Sequence, residues 1–466
     1  MPAPAADDFV RAPPVFGGRQ RWLLLLAFAM LVAFRLPQTW VHGRFVDEEA
    51  TVFLAYAWHR PWVDALFRPF AGYWNLAANA TTLLVTTLVK GGAMSLERAP
   101  YLTMATAFVV QVMPAVLILT GRARWLADRR AVIAALLVVV LAPASEEVFF
   151  NVLHIQFHLA LCTGLILSLD VPRFARARVG YGMLLFLAPL CGPGAIVFLP
   201  LFVLRAIVDR DRARWAQLAS PALGALIQLT IFYGASPMRG HLFDPGTIAA
   251  TMFVRMIALP AVNYGVADQI GLAIIASQEG QGLGWWAAAA AGAIMLATLL
   301  AIAARRADGA MWLALASLAI AGVSFGFGMV LLDRHSLFRI GAGERYNFLP
   351  QVFLGLALIA LAMRRTRAWR VYAGLCTLML LTGAFCYSSP MADFAHGPSW
   401  PAEVAAWRAD HRHPLAVWPQ PWQADLSDEP RACSPIGREP GASTDPRYCE
   451  SGWAGAFVRA RGGHFQ

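Results

Sequence analysis

Long apolar runs separated by short polar breaks fill most of the chain. "AVIAALLVVVLA" (131–142) and "GWWAAAAAGAIMLATLLAIAA" (284–304) are typical. Repeated apolar runs of about 20 residues are the signature of bilayer-crossing helices, because a helix satisfies its own backbone inside hydrocarbon; barrel strands leave shorter, alternating segments. The runs predict spans near 22–41, 99–120, 131–145, 152–170, 179–191, 193–208, 216–234, 283–304, 311–332, 346–363 and 371–387. The expected fold is therefore an all-α polytopic membrane protein of about eleven transmembrane helices. The polar breaks orient them. Arginines cluster at 19–21, 122–130, 173–178, 205–214, 305–306 and 364–370, and basic loops stay cytoplasmic. Even numbers of crossings between clusters put the N-terminus inside and the C-terminus outside. Residues 1–21 then form a disordered cytoplasmic tail and 22–387 the transmembrane domain, with 42–98 as its first outer loop. Residues 388–466 form a small irregular extracytoplasmic tail.

One apolar stretch is assigned differently. In "FAGYWNLAANATTLLVTTLVKG" (70–91), Asn75, Asn79, Thr82, Thr86 and Lys90 recur at spacings of 4, 3, 4 and 4, which is one polar stripe along a helix. An interfacial or re-entrant helix is expected there, in preference to a span with its stripe against other helices. The loops 143–151, 234–282 and 333–350 fall on the same outer side.

Composition agrees with the pattern. Of 466 residues, 58% are hydrophobic and 14% charged, against roughly a quarter charged in soluble domains. The net charge of +10 is carried almost wholly by arginines in short loops, a topology signal rather than a nucleic-acid footprint. The N-terminus lacks the basic start and cleavage site of a signal peptide. Cys162, Cys191, Cys376 and Cys386 fall in or beside apolar runs and read as packing residues. Cys433 and Cys449 lie in the tail and are disulfide candidates, which requires an oxidising compartment.

The candidate chemistry gathers on the outer side. Asp47, Glu48 and Glu49 follow the first run in "GRFVDEEATVF". Such carboxylates can deprotonate a hydroxyl or hold a divalent cation, and acids also favour a helix N-terminus. In "SEEVFFNVLHIQFHLAL" (145–161), Asn151, His154 and His158 share a helix face. Substrate contact and ordinary interhelical hydrogen bonding are both open for them; the metalloprotease glutamate is missing from "HIQFH". Arg334, Arg339 and Arg345, with Tyr346, lie outside against the positive-inside trend, and guanidinium groups bind phosphate bidentately. Arg35 sits inside the first run, as a functional charge or one snorkelling to the interface.

An acidic pair after the first transmembrane helix, a long first outer loop and about eleven spans resemble GT-C-type glycosyltransferases. "FAGYWNLAAN" (70–79), "NVLHIQFHLAL" (151–161) and "GERYNFLP" (343–350) are similar to uncharacterised bacterial members. The resemblance implies a bacterial inner-membrane enzyme. It would transfer a sugar from a polyprenyl-phosphate donor to a glycan, lipid or protein acceptor in the periplasm, by inverting displacement. Asp47 would be the base, Glu48 would assist it or bind a metal, and Arg345 with Tyr346 would neutralise the donor phosphate. The family shows one acidic pair where this chain has three acids in a row, so which carboxylate acts is open. A transporter or flippase, or a glycan polymerase or ligase, is the alternative.

Overall fold

A computed structural model describes residues 15–234, 244–280, 282–329, 335–341 and 343–427. The protein is helical almost throughout. Among the described residues, sheet is confined to two antiparallel hairpins, Pro69–Phe70 with Tyr73–Trp74 and Leu415–Ala416 with Gln423–Ala424. The longer helices, in chain order, are α1 (Gly18–Ala33), α2 (Leu76–Lys90), α3 (Ala99–Thr120), α4 (Arg129–Val140), α5 (Ile155–Ser168), α6 (Ala175–Cys191), α7 (Leu199–Asp209) and α8 (Arg212–Gly234). After these come α9 (Pro245–Met252), α10 (Leu259–Glu279), α11 (Gly284–Ala303), α12 (Gly309–Val323), α13 (Arg345–Met363), α14 (Trp369–Ser388) and α15 (Trp400–Ala409). Among the described residues, seven helical segments are long and apolar enough to cross a membrane.

The centre is built from α5 and α13, apolar on every side and buried on nearly every side, as such a composition demands. They touch closely because Gly164 has no side chain: a Cβ there would fall 2.2 Å from the Phe353 ring. Helices at the rim turn apolar side chains outward, such as Leu26 in α1, Ile294 in α11 and Leu381 in α14, which makes a lipid-compatible belt.

The arginine clusters share one end of the bundle. Arg129 donates to the Val15 carbonyl, Arg365 pairs with Asp128 at 3.5 Å, and Asp170 N–H bonds to the Arg122 carbonyl. Arg214 donates to the Leu169 carbonyl at the end of α5, while Arg364 donates to those of Ile302 and Ala303 at the end of α11. Terminal carbonyls have no intrahelical partner, so a guanidinium there completes the helix and favours its dipole. The basic residues that mark topology are thus also caps.

Several expected spans are shorter than the pattern suggested. Residues 22–41 divide into α1 and Pro37–His42, because Pro37 pushes Leu36 out of helical geometry. The runs at 131–145, 152–170 and 193–208 become α4, α5 and α7, of 12, 14 and 11 residues, whereas the run at 179–191 extends to the 17 residues of α6.

The expected outer loop 234–282 is corrected: residues 245–279 are helical. A wide π-type turn, Phe253–Ala258, joins α9 to α10, and Asn263 breaks α10 with φ 73° and ψ 174°. A straight helix of 35 residues would be about 50 Å long. Here, however, Gly246 lies against Trp285 and Trp286, and Ser277 bonds to Trp285 N–H. Both ends of the segment therefore meet the start of α11, and the segment doubles back to the side it left.

Two further expectations change. The stripe on α2 faces protein: Asn79, Thr82 and Thr86 are buried, and Asn79 donates to the carbonyls of Leu66 and Arg68. The tail is not an irregular appendage over its described part. It packs on residues 42–98 around a second core of Phe45, Leu54, Leu96, Trp400, Val404 and Leu415. Trp400 donates to the Leu96 carbonyl at 2.8 Å. Cys433, Cys449 and Arg334 lie outside the described residues.

Candidate functional site

The acidic stretch is a tight turn at the bundle end opposite the arginine clusters. Asp47 adopts φ 44°, a left-handed conformation that aspartate tolerates better than bulky residues. Its N–H donates to the Trp418 carbonyl at 2.8 Å, and Trp418 N–H donates to the Phe45 carbonyl at 3.1 Å. The helix that follows begins with a wide turn, Glu49–Leu54; π-type turns are rare and recur at functional sites.

The three acids have different surroundings. Glu49 is fully buried and points inward, accepting from Val46 N–H at 3.1 Å and Val152 N–H at 2.9 Å. Burial outweighs those hydrogen bonds and pushes its carboxyl up to about 7. Glu49 therefore ties the acidic turn to the loop before α5. Glu48 is half-buried and Asp47 nearly buried, on the other side of the turn.

The loop before α5 is buried along residues 142–154, with Ala144 and Phe150 left-handed. A buried loop must find partners for its carbonyls. Distant side chains supply some, Arg44 to Phe149, Gln111 to Val148 and Asn75 to Leu153, and the loop's own Asn151 donates to Glu147 and Phe149. Held this way, the loop presents Glu147. That carboxylate accepts Arg345 N–H at 2.9 Å and also the Arg345 guanidinium. Arg345 opens α13, so Glu147 closes the helix N-terminus and pairs with the side chain there.

The acidic turn is tied to the same loop, through Glu49 to Val152 N–H and Arg44 to the Phe149 carbonyl. Burial first, then the charges of Glu48 and Glu147, hold the Asp47 carboxyl well above its ordinary range, against the pull of Arg345 and Arg44. Burial also pushes Glu147 up, but the charge and hydrogen bonds of Arg345, with His154 nearby, overcome it and hold Glu147 low. Two carboxyls with opposite tendencies and one cation thus share a site. His154 donates from Nδ1 to the Glu147 carbonyl at 2.9 Å, leaving Nε2 at 4.0 Å from Glu147 Oε1. The Tyr346 ring lies 5.0 Å from the Arg345 guanidinium.

Asp47, Glu48, Asn151, His154, Arg345 and Tyr346 therefore come together, with Asn151 acting through the backbone. The other candidates fall elsewhere. His158 is buried between the rings of Phe149 and Phe348, below the site. Arg35 is enclosed with Glu146. Arg339 pairs with Asp268 at 2.8 Å. Glu147, Arg44 and Arg255 were missed. Arg255 lies in the π-type turn and donates to the Ser336, Leu337 and Arg339 carbonyls and to Asn347, fixing the approach to Arg345. Glu147 carried a signal, being one of two acids in an otherwise apolar loop; Arg255 carried none beyond its charge. Among the described residues, no group of three or more His, Cys, Asp or Glu side chains could hold a metal ion.

Comparisons with protein families, characterised proteins and solved structures find no match to this chain.

Proposed function

We propose that the protein is a membrane glycosyltransferase of GT-C type in a bacterial inner membrane. It transfers a sugar from a polyprenyl-phosphate donor to an envelope glycan, lipid or protein acceptor. The proposal takes the expected spans as crossings, with the N-terminus cytoplasmic and the site at the periplasmic face. The observation that carries it is the tie between the acidic turn and the loop that presents Glu147 to Arg345, made by Glu49 to Val152 N–H and by Arg44 to the Phe149 carbonyl, from parts of the chain far apart in sequence.

The chemistry needs those groups. The acceptor hydroxyl gives its proton to Asp47, whose raised affinity for protons suits a general base. The oxygen attacks the anomeric carbon opposite the phosphate. The carbon–oxygen bond to phosphate breaks, and the polyprenyl phosphate leaves with the electron pair, its charge met by Arg345. Glu147 holds Arg345 in place, and Glu48 assists Asp47.

The doubled-back segment 245–279 favours one other reading, a transporter or flippase, since broken helices line transport sites. Transfer of a labelled sugar from polyprenyl phosphate by the purified protein separates the two. Asp47→Asn and Glu48→Gln are expected to abolish transfer at normal expression. Full transfer by both variants, or lipid movement without transfer, would reject the glycosyltransferase reading.

A further inference from the structure

We propose that the C-terminal segment 397–427 is a positioning strap for the acidic turn, with Trp418 and Arg44 as its contact residues. The turn cannot hold its geometry alone. Asp47 lies in the left-handed region, which is unfavourable for any residue other than glycine, and it persists only where neighbours over-determine it. Trp418 supplies that constraint from 371 positions further along the chain (418 − 47). Its backbone bonds on both sides of Val46, to Asp47 N–H and to the Phe45 carbonyl.

The strap is itself anchored. Trp418 is 1% exposed, and its indole Nε1 donates to the Pro398 carbonyl at 2.8 Å. Gly397 lies so close beneath the ring that a Cβ would fall 2.5 Å from it. Glu403 accepts from Ala416 N–H and faces His413 at 3.1 Å, fixing the hairpin that carries Trp418. The Arg44 guanidinium lies 5.6 Å from the indole and donates to the carbonyls of Phe149 and Phe394. Arg44 thus joins the strap, the acidic turn and the loop that presents Glu147. Without the strap, Asp47 N–H and the Phe45 carbonyl would lose their partners in a buried turn. Asp47 would relax to a right-handed conformation and swing from the Glu147–Arg345 pair.

The structural part of this inference stands by itself; its consequence for turnover rests on the proposed function. Hydrogen exchange on the full-length protein in a lipid nanodisc tests the first. In Trp418→Ala, peptides covering 44–54 are expected to exchange at least about tenfold faster, while peptides within α13 keep their protection. Trp418→Phe, which keeps a ring and loses the Pro398 bond, serves if the alanine variant does not fold, and is expected to move the same peptides by less. Unchanged exchange over 44–54 in a folded variant would overturn the strap. With polyprenyl-phosphate sugar as donor, kcat is expected to fall while KM for the donor holds. A fall in rate that disappears when kcat is normalised to the folded fraction would mark Trp418 as a general folding residue and overturn its positioning role. If the wild-type chain transfers no sugar, the glycosyltransferase reading fails and the exchange result alone judges the strap.

Discussion

Glu146 and Glu147 are adjacent, and each meets an arginine from a distant part of the chain. Glu146 faces Arg35 at 3.6 Å, with both side chains 1% exposed. The guanidinium of Arg35 is already bound to the Val140 and Ala142 carbonyls and to Ser145 Oγ, and the Phe149 ring lies 4.6 Å away. No ligand can approach. Arg345 opposite Glu147 is 29% exposed, and among the described residues its Nε and Nη2 have no protein partner. The first pair closes a loop and the second offers donors to something outside the protein. A charge near the membrane core is thus no indicator of function by itself; what decides is donor capacity left over after the fold is built.

The comparison breaks most visibly through stability. Removing one partner of a buried pair leaves the other charged and unpaired, which costs about 3–5 kcal/mol. Arg35→Ala is therefore expected to collapse the yield of folded protein and lower its melting temperature in detergent. Arg35→Met with Glu146→Leu removes both charges and is expected to recover part of that loss. If Arg35→Ala melts like the wild type and only transfer fails, the buried pair belongs to the site and the distinction drawn here is wrong.

The open pair is expected to respond in activity. Arg345→Lys keeps a cation against Glu147 but loses the planar fork that can hold carboxylate and phosphate together. Transfer is expected to fall by about 10²-fold or more, the scale of one lost charge-stabilising donor, with the melting temperature little changed. Equal transfer by lysine would mean that Arg345 acts as a point charge only.

Asp47 sharpens the contrast within the acidic turn. Its folded-state carboxyl binds a proton more tightly than in the unfolded chain, because of burial and the charges of Glu48 and Glu147. Stability therefore falls as pH rises from the ordinary carboxyl range toward the raised value, while the fraction able to act as a base increases. Asp47→Asn is expected to raise the melting temperature at neutral pH and flatten its pH dependence over that window, while abolishing transfer. A lower melting temperature for the asparagine variant at neutral pH would contradict the raised proton affinity.

These contrasts mark where sequence reading stops. The apolar runs located α5 and α13 because central helices are apolar all round, and the arginine clusters marked one end because they cap helices there. The Glu147–Arg345 contact spans 198 positions and has no local pattern. The split between Asp47 and Glu49 depends on a left-handed turn held by Trp418, which the adjacent acids could not reveal. Residues 245–279 read as a loop because Arg255, Asn263 and Asp268 interrupt them. Each has structural work in the doubled-back form: Arg255 and Asp268 hold the loop before α13, and Asn263 makes the break.

Arg339 supplies the smallest expected effect and the sharpest control. It is an arginine paired to an acid, as Arg345 is, and sequence reading placed both on the outer face at the phosphate. Its partner is Asp268 on α10, with the arginine side chain 44% exposed. An exposed pair contributes about 0–1 kcal/mol, and here the two Arg339–Asp268 bonds secure a surface loop rather than an open site. Arg339→Ala is expected to leave transfer within about twofold of wild type and stability within that range. A loss comparable to that of Arg345→Lys would extend the proposed site along α10 and remove the distinction between arginines that hold the fold and the one proposed to meet the donor phosphate.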